Sequence, residues 1–203
     1  MKQITSLLIM ISLLIACNSS VEEKAPDKPE EQATQVNEQK KTEKTVAAGT
    51  YLCKINGEDW AYTKASGIIS THAKTKKRTA LITFNKKLEK GSEVIQLYYD
   101  ANSFELISTT LQLKFKDKEG KLFTCYYGIN SENISRHPQS TMSGSIDISD
   151  PSSASGTADL SNINIQYEKE KLFDSNNAKI NIEGLKFSGV GYSDTDKLSN
   201  AFK

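Results

Sequence analysis

Leu111, Leu113 and Phe115 alternate with Gln112, Lys114 and Lys116. That period of two predicts a strand with one wet face. Residues 116–120, Lys-Asp-Lys-Glu-Gly, read as a turn, and 122–127 return as the partner strand. A second hairpin joins Thr50–Ile55 to 59–62 through Asn56-Gly57, a dipeptide that tolerates the positive φ angles of a tight β-turn. Strands at 79–84 and 93–99 flank a turn at 85–91, and further strands are expected at 142–149, 156–160, 163–167 and 178–187. Segment 102–108 reads as a short helix or an irregular strand, and 168–174 as a helical turn. No stretch carries the period of a long amphipathic helix.

One short similarity is internal. Ser143-Gly-Ser-Ile-Asp-Ile-Ser149 resembles Ser155-Gly-Thr-Ala-Asp-Leu-Ser161. Two copies do not make a solenoid. Ile146, Ile148, Ala158 and Leu160 should face inward, with Asp147 and Asp159 outward. The phase slips between Leu160 and Ile163, which places a bulge near Ser161-Asn162. About eight to ten short strands with turns at this spacing specify an all-β domain, a single antiparallel β-sandwich. A lipocalin-like barrel is the alternative.

The first residues have a different pattern. Lys2 precedes a ten-residue apolar run, 7–16, broken only by Ser12. That run is too short to span a bilayer, which takes about 20 residues, and fits the apolar region of a signal peptide. It ends Leu14-Ile15-Ala16-Cys17, and here the chain resembles bacterial lipoproteins, whose lipobox this tetrapeptide matches. The resemblance implies cleavage after Ala16 and diacylglycerol on the Cys17 thiol, usually with acylation of the new amine. Each buried CH₂ contributes ~0.8 kcal/mol, so two or three acyl chains hold almost permanently. Asn18, where an aspartate would retain such a lipoprotein in the inner membrane, implies the outer membrane, with the periplasmic or surface face left open.

From 18 to 48 the chain has seven acidic and five basic residues, Pro26, Pro29 and no aromatic residue. Such a segment buries too little apolar surface to offset its ordering entropy, so a disordered tether is expected. The chain thus divides into a signal peptide (1–16), a lipidated cysteine with its tether (17–48) and one β-rich domain (49–203).

Charge narrows the function classes. Formal net charge is +1 with 25% charged residues, which gives no basic footprint for nucleic acid. Once Cys17 is lipidated, Cys53 and Cys125 remain. They either form a disulfide, which an exported domain permits, or stay as buried free thiols. His72 and His137 belong to no metal-ligand spacing, and both read as loop histidines. Asp147, Asp150, Asp159 and the pair Asp194-x-Asp196 lack the glycine and terminal glutamate of a calcium loop. No nucleophile elbow or P-loop is present, and Gly189-Val-Gly191 lacks the strand-to-helix setting of a phosphate cradle. No cofactor is implied.

Candidate contact residues are few. Trp60 and Tyr62 follow the Asn56-Gly57 turn and are good contact types, although a core position suits Trp60 better. Lys74, Lys76, Lys77 and Arg78 form the densest basic group. They either meet an anionic surface or an acidic partner, or keep a β edge from pairing. Tyr98-Tyr99 and Tyr126-Tyr127 must each split between two faces of a sheet. The resulting expectation is a non-enzymatic, lipid-anchored envelope module that binds a protein or small ligand. The alternatives are a small-molecule carrier with a barrel cavity and an inhibitor or immunity protein against an envelope toxin or hydrolase.

Overall fold

The computed structural model describes residues 49–197. The leader, Cys17 and the tether lie outside the described residues.

Ten strands account for most of the domain: β1 (Thr50–Ile55), β2 (Glu58–Tyr62), β3 (Lys64–Thr71), β4 (Arg78–Lys87), β5 (Ser92–Asp100), β6 (Leu106–Lys116), β7 (Leu122–Asn130), β8 (Thr141–Asp147), β9 (Ser153–Asn164) and β10 (Lys179–Asp194). The class is all-β, as the alternation requires. Hydrogen bonds connect the strands in the order β2-β1-β10-β3-β4-β5-β6-β7, with β9 and then β8 joined to the other side of β10. Because β10 pairs with β1 early and with β3 at its end, the ladder divides there. Strands β3–β7 pack against a layer of β1, β2, β8, β9 and β10.

The two inner faces form one core. Phe84 on β4 meets Phe187 on β10 at 5.4 Å and Tyr62 on β2 at 5.1 Å between ring centroids. Each such aromatic pair adds about 0.5–1.5 kcal/mol beyond burial alone. Tyr99 is fully buried, and its hydroxyl donates to the carbonyl of Thr157 on β9 at 2.9 Å. The phenol therefore satisfies its polar end across the layers. Burial pushes its pKa upward. Tyr127 is likewise buried and donates to the Asn177 carbonyl, whereas Tyr126 points outward.

The strands are not all antiparallel. β10 crosses between layers and runs parallel to β3 over Tyr192–Asp194. Gly67 admits that approach, since a Cβ there would lie 2.7 Å from the Cβ of Tyr192. Nor does the ladder close into a barrel. Only single bridges, Glu105–Ser145 and Tyr127–Ile165, join the far edges. The bulge falls where the phase slip put it: Leu160 and Ile163 oppose Ile182 and Ile180, so β9 carries one extra residue, and Asn162 has φ 53°. The expected strands 156–160 and 163–167 are one strand, β9, and segment 102–108 is a turn followed by the start of β6.

Candidate functional site

A depression of about 610 Å³ opens where β4 and β6 begin and β5, β8 and β10 end. Ile69, Ala101, Ile146 and Ile148 supply its apolar wall, and Arg78, Asp147, Asp194 and Lys197 its charges. An Arg78 Nη2–H donates to Asp194 Oδ2 at 2.6 Å, with Asp194 buried and Arg78 mostly so. The Nε of Arg78 lies 3.5 Å from Asp196. Thr71 donates to that carboxylate from its hydroxyl at 2.7 Å and from its backbone N–H at 3.3 Å. The Thr71 hydroxyl above all, with Arg78 beside it, holds the Asp196 carboxyl below its ordinary pKa. This end of β10 is therefore tied to β3 and β4 by charge-assisted bonds, which are stronger than neutral ones.

A strap crosses nearby. The Tyr192 hydroxyl donates to the carbonyls of Asp150 and Ile148, at 3.0 and 3.3 Å. Asp150 accepts from the hydroxyl and N–H of Ser152 and from the hydroxyl of Ser153. Those bonds, Ser152 first, lower its pKa from 3.8 to about 2.

Phe104 stands at the mouth. It is 45% exposed and has φ +65°, a left-handed conformation that costs a residue with a Cβ about 1–2 kcal/mol. Its N–H donates to Asp100 and its carbonyl accepts from Ile146, so both neighbouring elements hold it there. Strain of this kind collects at functional sites.

Several expected contact residues lie elsewhere. Trp60 is a core residue, 4% exposed, and not an exposed loop-tip side chain. Its Nε1–H donates to Glu93 Oε2 at 2.9 Å, and Glu93 also accepts from the Lys114 N–H and pairs with Lys86. β5 points Glu93 into the end of the core, and these donors are what let a carboxylate sit there. This cluster floors a second groove of about 430 Å³ at the other end of β4. Tyr62 is half-buried against Phe84. Lys74, Lys76 and Lys77 are exposed in the β3–β4 turn, with Lys77 paired to Glu132 at 3.3 Å. Arg78 is not part of that exposed face, because its guanidinium turns in to Asp194.

Cys53 and Cys125 are both free and buried. Burial pushes the Cys53 thiol up to about 12 and raises Cys125 as well, the opposite of an activated nucleophile. His72 is exposed, and its Nδ1 accepts from the Thr75 N–H. Asp147 and Asp150 cap their own loop. Asp194 and Asp196 serve Arg78 and Thr71. Among the described residues no group of three acidic, histidine or cysteine side chains could hold a metal ion, and no helix is long and apolar enough to cross a membrane.

Sequence reasoning passed over Phe104 and Tyr192. Phe104 carries no pattern signal, since its strain is a property of the turn. Arg78 did carry one. It is one of two arginines among 26 basic residues, and arginine is the residue suited to buried, forked pairing. No family model, curated protein or solved structure matches the chain.

Proposed function

We propose that the chain is a bacterial lipoprotein, held at the outer membrane by acylated Cys17, whose domain binds an envelope ligand without transforming it. The groove at the Arg78 end is the binding site. Phe104 carries this reading: a large aromatic side chain is held exposed in a costly backbone conformation at the mouth of this groove. The buried Arg78–Asp194 pair and the Tyr192 strap make the walls rigid, so little ordering cost remains to be met on binding. The groove combines an apolar wall with convergent charged and polar groups, a make-up that suits a small ligand or a loop with both kinds of surface. The carrier alternative no longer has a closed barrel, so any small ligand would occupy this open groove.

The experiment is native mass spectrometry of the protein extracted from its own membrane in mild detergent. A non-lipid adduct on the wild-type chain is expected. Phe104→Asn should lose it, because asparagine accepts the left-handed backbone but removes the ring. Its folding stability should equal or exceed that of the parent by urea unfolding. An adduct equally retained by Phe104→Asn would overturn the assignment of the groove.

A further inference from the structure

Four of the largest exposed apolar side chains share one corner of the domain. Leu122 (58% exposed) and Tyr126 (44%) are on the outer face of edge strand β7, four residues apart. The segment after β9 runs beside them. Ile165 bridges Tyr127 and the Gln166 N–H donates to the Tyr126 carbonyl, which places Tyr167 at that end. The segment then returns to β6, where the Phe173 N–H donates to the Lys116 carbonyl at 3.0 Å, and Lys116 is the register partner of Leu122. Phe173 (71%) thus flanks the strip on one side and Tyr167 (68%), which also lines a depression with Gln166 and His137, on the other.

Lysines rim this corner. Lys116, Lys118 and Lys169 are exposed and form none of the ion pairs found among the described residues. Glu119 and Glu168 are taken up by Lys121 and Lys171, and Asp117 accepts backbone N–H groups of its own turn. Asp174, next to Phe173, accepts the Asn176 N–H, and Glu170 is the remaining carboxylate beside them.

We propose that this corner is a membrane-docking face that inserts its aromatic and leucine side chains at the headgroup level and sets its lysines against anionic lipid. Tyrosines at the polar–apolar boundary and lysines near anionic headgroups are the chemistry an interfacial site requires. The proposal rests on the lipid-anchor reading for its biological setting. Thirty-one residues, 18–48, separate Cys17 from Gly49, a coil of roughly 30 Å. An anchor at that range supplies a high local concentration of bilayer, so weak interfacial affinity suffices. Docking here also orients the domain. Leu106 and Lys116 stand at opposite ends of β6, roughly 33 Å apart, so the Arg78 groove lies clear of the docked corner.

The test uses residues 18–203, without leader or lipid, since the core cluster runs from Leu52 to Val190 within that span. Flotation with vesicles of phosphatidylethanolamine and phosphatidylglycerol is compared with phosphatidylcholine alone. The wild-type domain should float with the anionic vesicles, and less in high salt. The triple variant Leu122→Ser, Tyr167→Ser, Phe173→Ser should lose about tenfold in partitioning at an unchanged melting temperature. Lys118→Glu with Lys169→Glu, both fully surface positions, should reproduce the loss while keeping the apolar strip. Wild-type flotation no better than that of the triple variant overturns the proposal. So does a concentration-dependent dimer that the triple variant abolishes, because the strip would then be covered by a second copy. Labelling of the full chain with radioactive palmitate, lost in Cys17→Ala, tests the anchor separately from either result.

Discussion

Replacing Arg78 with alanine would leave buried Asp194 with the Asp196 N–H at 3.2 Å and the Lys197 ammonium at 3.8 Å, and without its guanidinium partner. Removing one partner of a buried pair is costly, and about 3 kcal/mol of stability should be lost, read by urea unfolding. A loss under about 0.5 kcal/mol, the range of an ordinary surface change, would show that the pair is solvated and that the groove lacks its fixed floor. Asp150 offers a measurement by pH. Its pKa is depressed in the folded state, to about 2 from 3.8. Its contribution to loop order is therefore complete above the unfolded value and lost as pH falls from about 4 towards 2. Carbon NMR of the carboxyl should give a midpoint near 2, and Ser152→Ala should move that midpoint upward. A midpoint unmoved by that substitution would mean that the loop is not closed by the Ser152 hydroxyl.

Among the elements, β10 has the largest structural duty. It pairs with β9 along nearly its whole length, and with β1 and β3 on the other side. Its register shifts past β9 near Gly184 and Gly189, which have φ +64° and +66°. A side chain with a Cβ is strained at such angles whatever the surrounding space, and nothing lies within 4 Å of either position. Gly189→Val should cost about 1–2 kcal/mol through the backbone alone, with Gly189→Asn costing less. Equal losses would point to packing instead.

The same strands show what pattern can and cannot carry. β4–β7 were legible because each alternates over one buried face and meets its partner across a short turn, whereas β1 and β2 were legible from the Asn56-Gly57 turn, since β1 buries both Leu52 and Cys53 at a register shift. β3 was not. Its inward positions include Ala65 and Gly67, and Ile68-Ile69 puts equal residues on both faces. The bulge at Asn162 was legible because it reverses the local phase. Its neighbour in the story, the parallel β3–β10 pairing, leaves no such mark: strands over 100 residues apart in the chain meet only because β10 changes layer. The site followed the same rule. The exposed lysines of the β3–β4 turn could be read from composition, but Arg78 needed Asp194, 116 residues away, to reveal its direction. Trp60 similarly took its place from Glu93 on another strand.

At the scale of the whole molecule, an apolar corner lies at one end of β6 and the Arg78 groove at the other. With the Cys17 anchor proposed above, the arrangement we propose is a domain tied to a bilayer that rests on it by that corner and keeps its groove clear of the lipid. The corner and the groove are independent surfaces, so variants of one should leave the other unaltered. The anchor is the premise on which that arrangement acts in the cell. The most direct measurement is the intact mass of the chain purified from its own membrane fraction. The expected mass is that of residues 17–203 with diacylglycerol on Cys17, with or without a further acyl chain on its amine. A chain that retains residues 1–16, or begins elsewhere with Cys17 unmodified, would contradict lipid anchoring.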